Sequence, residues 1–190
     1  KDNERRLYIL SGPAGVGKGT VLRRVFEKLD NIAYSVSCTT RTPRPGERDG
    51  TDYVFMDEAS FKKMVSEERF LEWANVHGHF YGTRKDVVED ILNSGRDVVL
   101  EIDVQGASQV KKKMPEAVMI FIQPPSFEEL VRRLRKRGTE GPEEFELRIL
   151  NAKEEMSHAG EYEHMIINDR VDKAAEDLIK IVKQYREGSI

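Results

Sequence analysis

Leu7-Tyr8-Ile9-Leu10-Ser11-Gly12-Pro13-Ala14-Gly15-Val16-Gly17-Lys18-Gly19-Thr20 is the stretch on which the reading of this chain turns. Its first four residues form an apolar run that predicts a short strand. Beyond Thr20, Val21, Leu22, Val25, Phe26 and Leu29 recur at helical spacing and predict a helix to about Leu29. A glycine-rich loop between such a strand and such a helix lets the backbone close on an oligophosphate. Amides at the helix start supply donors there, and Lys18 supplies a mobile charge. Gly12, Pro13, Ala14, Gly15, Val16, Gly17, Lys18, Gly19 and Thr20 are therefore expected to bind nucleotide phosphates. The hydroxyl arrives at Thr20 and not directly after Lys18, so no residue is assigned as a direct metal ligand. A nucleotide-bound Mg²⁺, which commonly retains several waters, is expected near Thr20 through those waters.

Working outward, Asp97 to Ile102, Ala117 to Ile122 and His164 to Ile167 are short apolar runs rich in Val and Ile, and Tyr34 to Cys38 is a further candidate strand. Most are followed by charged, helix-like stretches. With Leu7 to Leu10 they make five candidate strands of an α/β fold, a five-stranded parallel sheet flanked by helices on both faces. Residues 37–95 break the rhythm: Thr42-Pro43-Arg44-Pro45-Gly46-Glu47-Arg48-Asp49-Gly50 marks turns, and aromatic or alternating pieces follow at Asp52 to Met56 and Phe70 to Tyr81. This segment is read as an inserted mixed lobe, with Asp57 capping a helix through Phe61, Met64 and Val65 and a second helix over Asp86 to Leu92. Residues 1–36 and 96–190 then form the core. A lid is expected at about 138–152, where Gly138-Thr139-Glu140-Gly141-Pro142 interrupts two charged helices and few apolar residues tie the chain down. A last helix over Lys173 to Tyr185 carries an apolar stripe.

Composition narrows the classes. In 190 residues, 31 Lys and Arg against 34 Asp and Glu give a net charge of −3, and 38% of residues are hydrophobic. That balance argues against disorder and against wholesale neutralisation of a nucleic-acid backbone. No apolar run approaches the roughly 18 residues of a membrane span, and no signal-peptide core is expected. One cysteine forms no intrachain disulfide, so a reducing cytoplasm is the default location. His77, His79, His158 and His164 lack metal-ligand spacing.

A phosphate loop alone leaves hydrolysis and transfer open. The arginines favour transfer to a second anion: Arg41 and Arg44 flank a turn, Arg133 and Arg137 lie one helical turn apart, and Arg148 follows on a later helix. Guanidinium groups make two-pronged contacts with phosphate and neutralise charge that develops during transfer.

At this point the chain resembles the guanylate kinase family. The resemblance runs from the phosphate loop through Ser37-Cys38-Thr39-Thr40-Arg41-Thr42-Pro43-Arg44-Pro45-Gly46-Glu47, Gly50-Thr51-Asp52-Tyr53-Val54-Phe55, Phe70-Leu71-Glu72-Trp73-Ala74, Phe80-Tyr81-Gly82-Thr83 and Glu101-Ile102-Asp103-Val104-Gln105-Gly106. It implies a P-loop nucleotide kinase fold with an inserted GMP-binding lobe and a lid, and transfer of the ATP γ-phosphate to GMP with Mg²⁺ as cofactor. By resemblance, Ser37, Arg41, Arg44, Tyr53 and Tyr81 contact the GMP phosphate, and Glu72, Thr83 and Asp103 surround guanine. Lys18, Arg41, Arg133, Arg137 and Arg148 are the expected catalytic residues, Arg137 also approaching ATP and Asn168 lying beside adenine. Waters near Asp103, as near Thr20, are expected to carry the Mg²⁺. The chain departs from the family at Ala14, often Ser, at Gly19, commonly a hydroxyl residue, and at Thr83, commonly Ser.

Chemistry fits the mapped residues. A carboxylate accepts from the N–H edge of guanine and a hydroxyl donates to O6. The expected partners are ATP and GMP, with no nucleic acid, membrane or obligate protein partner. The alternatives are a noncatalytic guanylate-kinase-like interaction module, or a monophosphate kinase with a different acceptor.

Overall fold

The computed structural model describes residues 5–76, 78–136, 138 and 141–190. The opening unit forms as its pattern dictates: β1 (Leu7–Ser11) enters the glycine loop, and α1 (Lys18–Lys28) leaves it. Then come β2 (Ile32–Tyr34), β3 (Cys38–Thr39), β4 (Val54–Phe55), α2 (Glu58–Ser66), β5 (Phe70–Val76), β6 (His79–Arg84) and α3 (Lys85–Asn93). The remaining elements are β7 (Asp97–Glu101), α4 (Val104–Lys113), β8 (Val118–Gln123), α5 (Phe127–Lys136), α6 (Pro142–Ser157), β9 (His164–Ile167) and α7 (Val171–Arg186).

Five strands make a wholly parallel sheet in the order β2-β7-β1-β8-β9. Strand alternation sorts β1 between two cores. Tyr8 and Leu10 join Val21, Leu22 and Val25 of α1 and Ala174, Leu178 and Val182 of α7, whereas Leu7 and Ile9 join Val88 of α3 and Ala107 and Val110 of α4. Helices therefore cover both faces, as the alternating pattern predicts. Burying one Leu or Ile in such a core contributes roughly 1.5–3 kcal/mol relative to exposure. One boundary differs from expectation: the second core strand is Ile32–Tyr34, and Cys38 belongs to a different sheet. The polar Ser35 and Ser37 separate two apolar pieces that a continuous reading had merged.

The second sheet, β4-β3-β6-β5, is mixed, with β5 and β6 antiparallel. Phe61 on α2 stacks on Phe70 and Phe80, with ring centroids 4.5 and 5.3 Å away, and gives this sheet its own small core with the buried Cys38. Asp57 caps α2 by accepting from the Ser60 N–H at 2.6 Å. Helices α5 and α6 share an apolar cluster of Leu130, Leu134, Phe145, Ile149 and Ala152. More apolar contact thus ties this pair together than the sequence led us to expect. No helix among the described residues is long and apolar enough to cross a membrane.

Candidate active site

In open parallel sheets ligands gather beyond the carboxyl ends of the strands, where the glycine loop after β1 and Asp103 after β7 lie. Strand β1 ends at Ser11, whose hydroxyl donates to the Ile102 carbonyl at 2.7 Å and ties the ends of β1 and β7 together. The loop that follows frames a cavity of about 300 Å³ lined by Pro13, Ala14, Gly15, Gly17, Lys18, Gly19, Thr20, Arg23 and Glu101. Gly17 caps α1 at φ +93° with no side-chain hydrogen bond, so the helix offers its first amides to an anion. The Lys18 ammonium donates to the Gly12 carbonyl.

Asn168 braces this loop from beyond β9. Its Nδ2 donates to the Val16 carbonyl at 2.7 Å, its N–H donates to the Gln123 carbonyl at 2.8 Å, and only 3% of the residue is exposed. A Cβ on Gly17 would lie 2.8 Å from the same Nδ2. Arg133 reaches in from α5, donating to the Asn168 carbonyl and to Glu129, each at 3.1 Å. Arg148 is half-buried on α6. Arg137 lies outside the described residues.

The second half-site is built on β6, where Tyr81 and Thr83 sit two positions apart and share a face, roughly 7 Å from each other. At the Tyr81 end, Arg41 donates through Nε to the tyrosine oxygen at 3.3 Å and through Nη1 and Nη2 to the Glu47 carboxylate at 2.7 and 3.0 Å. Its guanidinium lies 5.2 Å from the Tyr53 ring centroid, and Tyr53 meets Tyr81 edge-on at 5.9 Å. Glu47 also accepts from the Arg44 N–H at 2.7 Å, closing the turn that carries both arginines. The Arg41 hydrogen bonds, then that of Arg44, hold the Glu47 carboxyl down at about 2. Arg44 itself is exposed, and half-buried Ser37 offers its carbonyl to the Val54 N–H at 2.9 Å.

At the other end Thr83 stands directly opposite Glu72 and donates its hydroxyl to Oε1 at 2.7 Å. A register shift between Phe70 and Glu72 inserts one extra residue into β5. Strict alternation would put Phe70 and Glu72 on one face. With the bulge, Phe70 and Trp73 both turn to Phe61, Leu71 enters the main core, and Glu72 faces α4. Glu72 is 5% exposed. Burial pushes its carboxyl up to about 7, with Asp103 adding to the rise and the Thr83 hydrogen bond opposing it.

Asp103 caps α4, its Oδ1 accepting from the Gly106 N–H at 2.8 Å. A Cβ on Gly106 would stand 2.7 Å from Glu72 Oε2 and 3.2 Å from that Oδ1. The absence of a side chain at Gly106 is what lets the two carboxylates approach. Beside them a cleft of about 690 Å³ is lined from β5, α4 and α6, including Asp103, Gln105, Ser108 and Glu155. Burial raises the Glu155 carboxyl, while the positive charge of Lys18 opposes that rise and places α6 within electrostatic reach of the phosphate loop.

Sequence reasoning missed Glu47 and Glu155 as members of this arrangement. Spacing carried a signal only for Glu47, three residues after Arg44 in a turn-forming run. Glu155 reaches the cleft through helix packing alone.

Against known proteins, residues 4–185 match the family model described as guanylate kinase. A guanylate kinase of Caldanaerobacter subterraneus subsp. tengcongensis is 51% identical over 176 residues, spanning 93% of this chain and 85% of that protein. One from Thermotoga maritima is 46% identical over 181 residues, 95% of this chain and 87% of that protein. The crystal structure of guanylate kinase from Anaplasma phagocytophilum superposes with a TM-score of 0.79 at 35% identity, covering 96% of this chain and 86% of that one.

Proposed function

This chain belongs to the guanylate kinase family and transfers phosphate between ATP and GMP; we propose that the two half-sites divide that work as follows. The phosphate loop, Gly12 to Thr20, takes the ATP phosphates, and Asn168 holds the loop beneath them. Ser37, Arg41, Arg44, Tyr53 and Tyr81 take the GMP phosphate. Glu72, Thr83 and Asp103 take guanine, the carboxylates accepting from its N–H edge and the hydroxyl turning from Glu72 Oε1 to donate to O6. The observation that carries this reading is the single face of β6, which presents a phosphate-type group at Tyr81 and a base-type group at Thr83.

No protein base is needed. A phosphate monoester with a second pKa near 6 is largely dianionic at neutral pH, so a GMP phosphate oxygen attacks the ATP γ-phosphorus while the bond to the β,γ-bridging oxygen breaks. The electron pair of that bond leaves with ADP, and GDP is the other product. Lys18 exchanges the Gly12 carbonyl for the transferring group. Residues 37–95, of which α3 stays packed on the main sheet, supply the acceptor lobe, and residues 138–152 supply the lid. As they close on the core, Arg133, Arg137 and Arg148 approach the transferred charge and water is excluded.

Among the described residues no group of three or more His, Cys, Asp or Glu could hold a metal ion. The hard oxygens of Thr20 and Asp103 suit a Mg²⁺ held chiefly by nucleotide phosphates and waters, and that ion supplies charge neutralisation on the phosphates.

ADP production from ATP with GMP, AMP, UMP or no acceptor tests the assignment. Strong stimulation by GMP alone is expected. Turnover with AMP but not GMP would place the chain among other monophosphate kinases, and no acceptor-stimulated turnover would leave a noncatalytic module.

A further inference from the structure

Strand β5 lies at the edge of the second sheet, with β6 on one side only. An edge strand carries N–H and C=O groups that no neighbouring strand meets. At Trp73 they are met from α4: Gln109 Oε1 accepts from the Trp73 N–H at 3.1 Å, and Gln109 Nε2 donates to the Trp73 carbonyl at 3.0 Å. The side-chain amide thus stands in for one peptide unit of a missing strand. One turn further along the same face of α4, Lys113 Nζ donates to the Phe70 carbonyl at 3.0 Å. Glu72, between these two gripped residues, places Oε2 2.7 Å from where a Cβ on Gly106 of the same helix would stand.

The bulge at residue 71 makes this grip consequential. A strand with an inserted residue has lost part of its regular pairing, so its local direction depends on whatever else holds it. Gln109 is bonded to both polar groups of the residue that follows Glu72, and it sits on the helix that Asp103 caps. It therefore links the strand that carries one carboxylate to the helix that begins at the other. We propose that Gln109 is a positioning residue for acceptor-base selectivity: it clamps β5 to α4 so that Glu72 and Asp103 face one base together. The inference rests on the reading of Glu72 as a guanine contact.

Gln109→Met keeps side-chain length and loses both hydrogen bonds. Gln109→Glu keeps an acceptor for the Trp73 N–H but sets a carboxylate against the Trp73 carbonyl. Each is measured with GMP and with IMP, which lacks the 2-amino group, beside a Glu72→Gln variant. Expected in both Gln109 variants is a rise of about tenfold in KM for GMP, with kcat and the KM for ATP within about twofold of the parent. The preference for GMP over IMP narrows by a similar factor. A purely structural role would instead lower thermal stability and impair both substrates alike. Should Glu72→Gln weaken GMP while either folded Gln109 variant keeps the parent KM and the parent GMP-to-IMP ratio, the positioning role is overturned and the guanine contact stands. Should Glu72→Gln itself leave both quantities unchanged, the underlying reading fails first.

Discussion

Arg41 and Glu47 form a two-pronged ion pair, with nitrogen–oxygen distances of 2.7 and 3.0 Å, in which the carboxylate occupies the guanidinium face suited to a phosphate. Glu47 has two opposed effects on the acceptor: it competes with an incoming phosphate, and it holds Arg41 and the Arg44 turn in place.

Magnitudes decide between them. An incoming phosphate replaces the bidentate carboxylate with a contact of the same kind, whereas an untethered Arg side chain carries about 2 kcal/mol of rotamer entropy that binding must remove. Glu47→Ala is therefore expected to raise KM for GMP three- to tenfold and to leave KM for ATP unchanged. Steady-state kinetics with each substrate varied in turn measures this, and a lowered KM for GMP would show that competition dominates.

Glu72 gives GMP binding a pH dependence. Its carboxyl lies at about 7 in the folded protein, so near neutrality a large fraction carries a proton, which removes its negative charge and leaves guanine fewer and weaker acceptor positions. The groups that face it are Thr83 on β6, Asp103 at the head of α4 and, more distantly, Lys113. Apparent GMP affinity should rise from pH 6 to pH 8, approaching tenfold per unit on the acid side, while ATP affinity does not follow. The GMP phosphate titrates near 6 as well. Calorimetry on Glu72→Gln separates the two, removing the step near 7 and retaining the one near 6. The Arg41–Glu47 pair makes no contribution in this window, because its carboxylate protonates only as pH falls toward about 2.

The same shift has a stability sign. A carboxyl raised above its unfolded value of 4.5 contributes stability that is complete below about pH 4.5 and lost as pH rises through about 7. In the absence of nucleotide, Glu72→Gln should therefore raise the melting temperature at pH 8 and change it little at pH 4.5. Differential scanning calorimetry at the two pH values checks this, and equal effects at both would disprove the linkage.

Two glycines of the phosphate loop should respond oppositely to the same change. Gly17 sits at φ +93°, with its would-be Cβ 2.8 Å from Asn168, so Gly17→Ala is expected to destabilise by about 1–3 kcal/mol. Gly19, inside α1, would meet nothing within 4 Å, and Gly19→Ala should gain up to about 1 kcal/mol of helix propensity. Denaturant unfolding of both variants reads the difference.

Lys18→Ala should fold normally and lose at least about 100-fold in kcat, since a charge on the transferring group acts mainly in the transition state. Unchanged kcat/KM in a folded variant would remove Lys18 from the mechanism.

What could be read without coordinates was whatever depends on near neighbours in the chain. The phosphate loop announces itself because strand, glycines, lysine and helix are contiguous, and the strands of the parallel sheet do so because most are short apolar runs between polar segments. The sole misplacement among them, at residues 34–38, lay where two sheets meet and composition barely changes across Ser35 to Ser37. Residue types suited to the chemistry, such as Arg41 and Glu72, were likewise visible. The resemblance to a family, and not spacing, paired them with ligands.

Tertiary structure alone decided how these groups stand toward one another. Asn168 underpins Val16 from 152 positions away, and Gln109 grips β5 across 36. The bulge at residue 71 rests on similar ground, since a two-residue period predicts Glu72 on the wrong face until Leu71 is seen in the main core. A propensity describes one residue and its neighbours. A carboxyl held near 7, by contrast, is a property of burial and of charges that meet only when distant segments pack, and it does not exist in the unfolded chain.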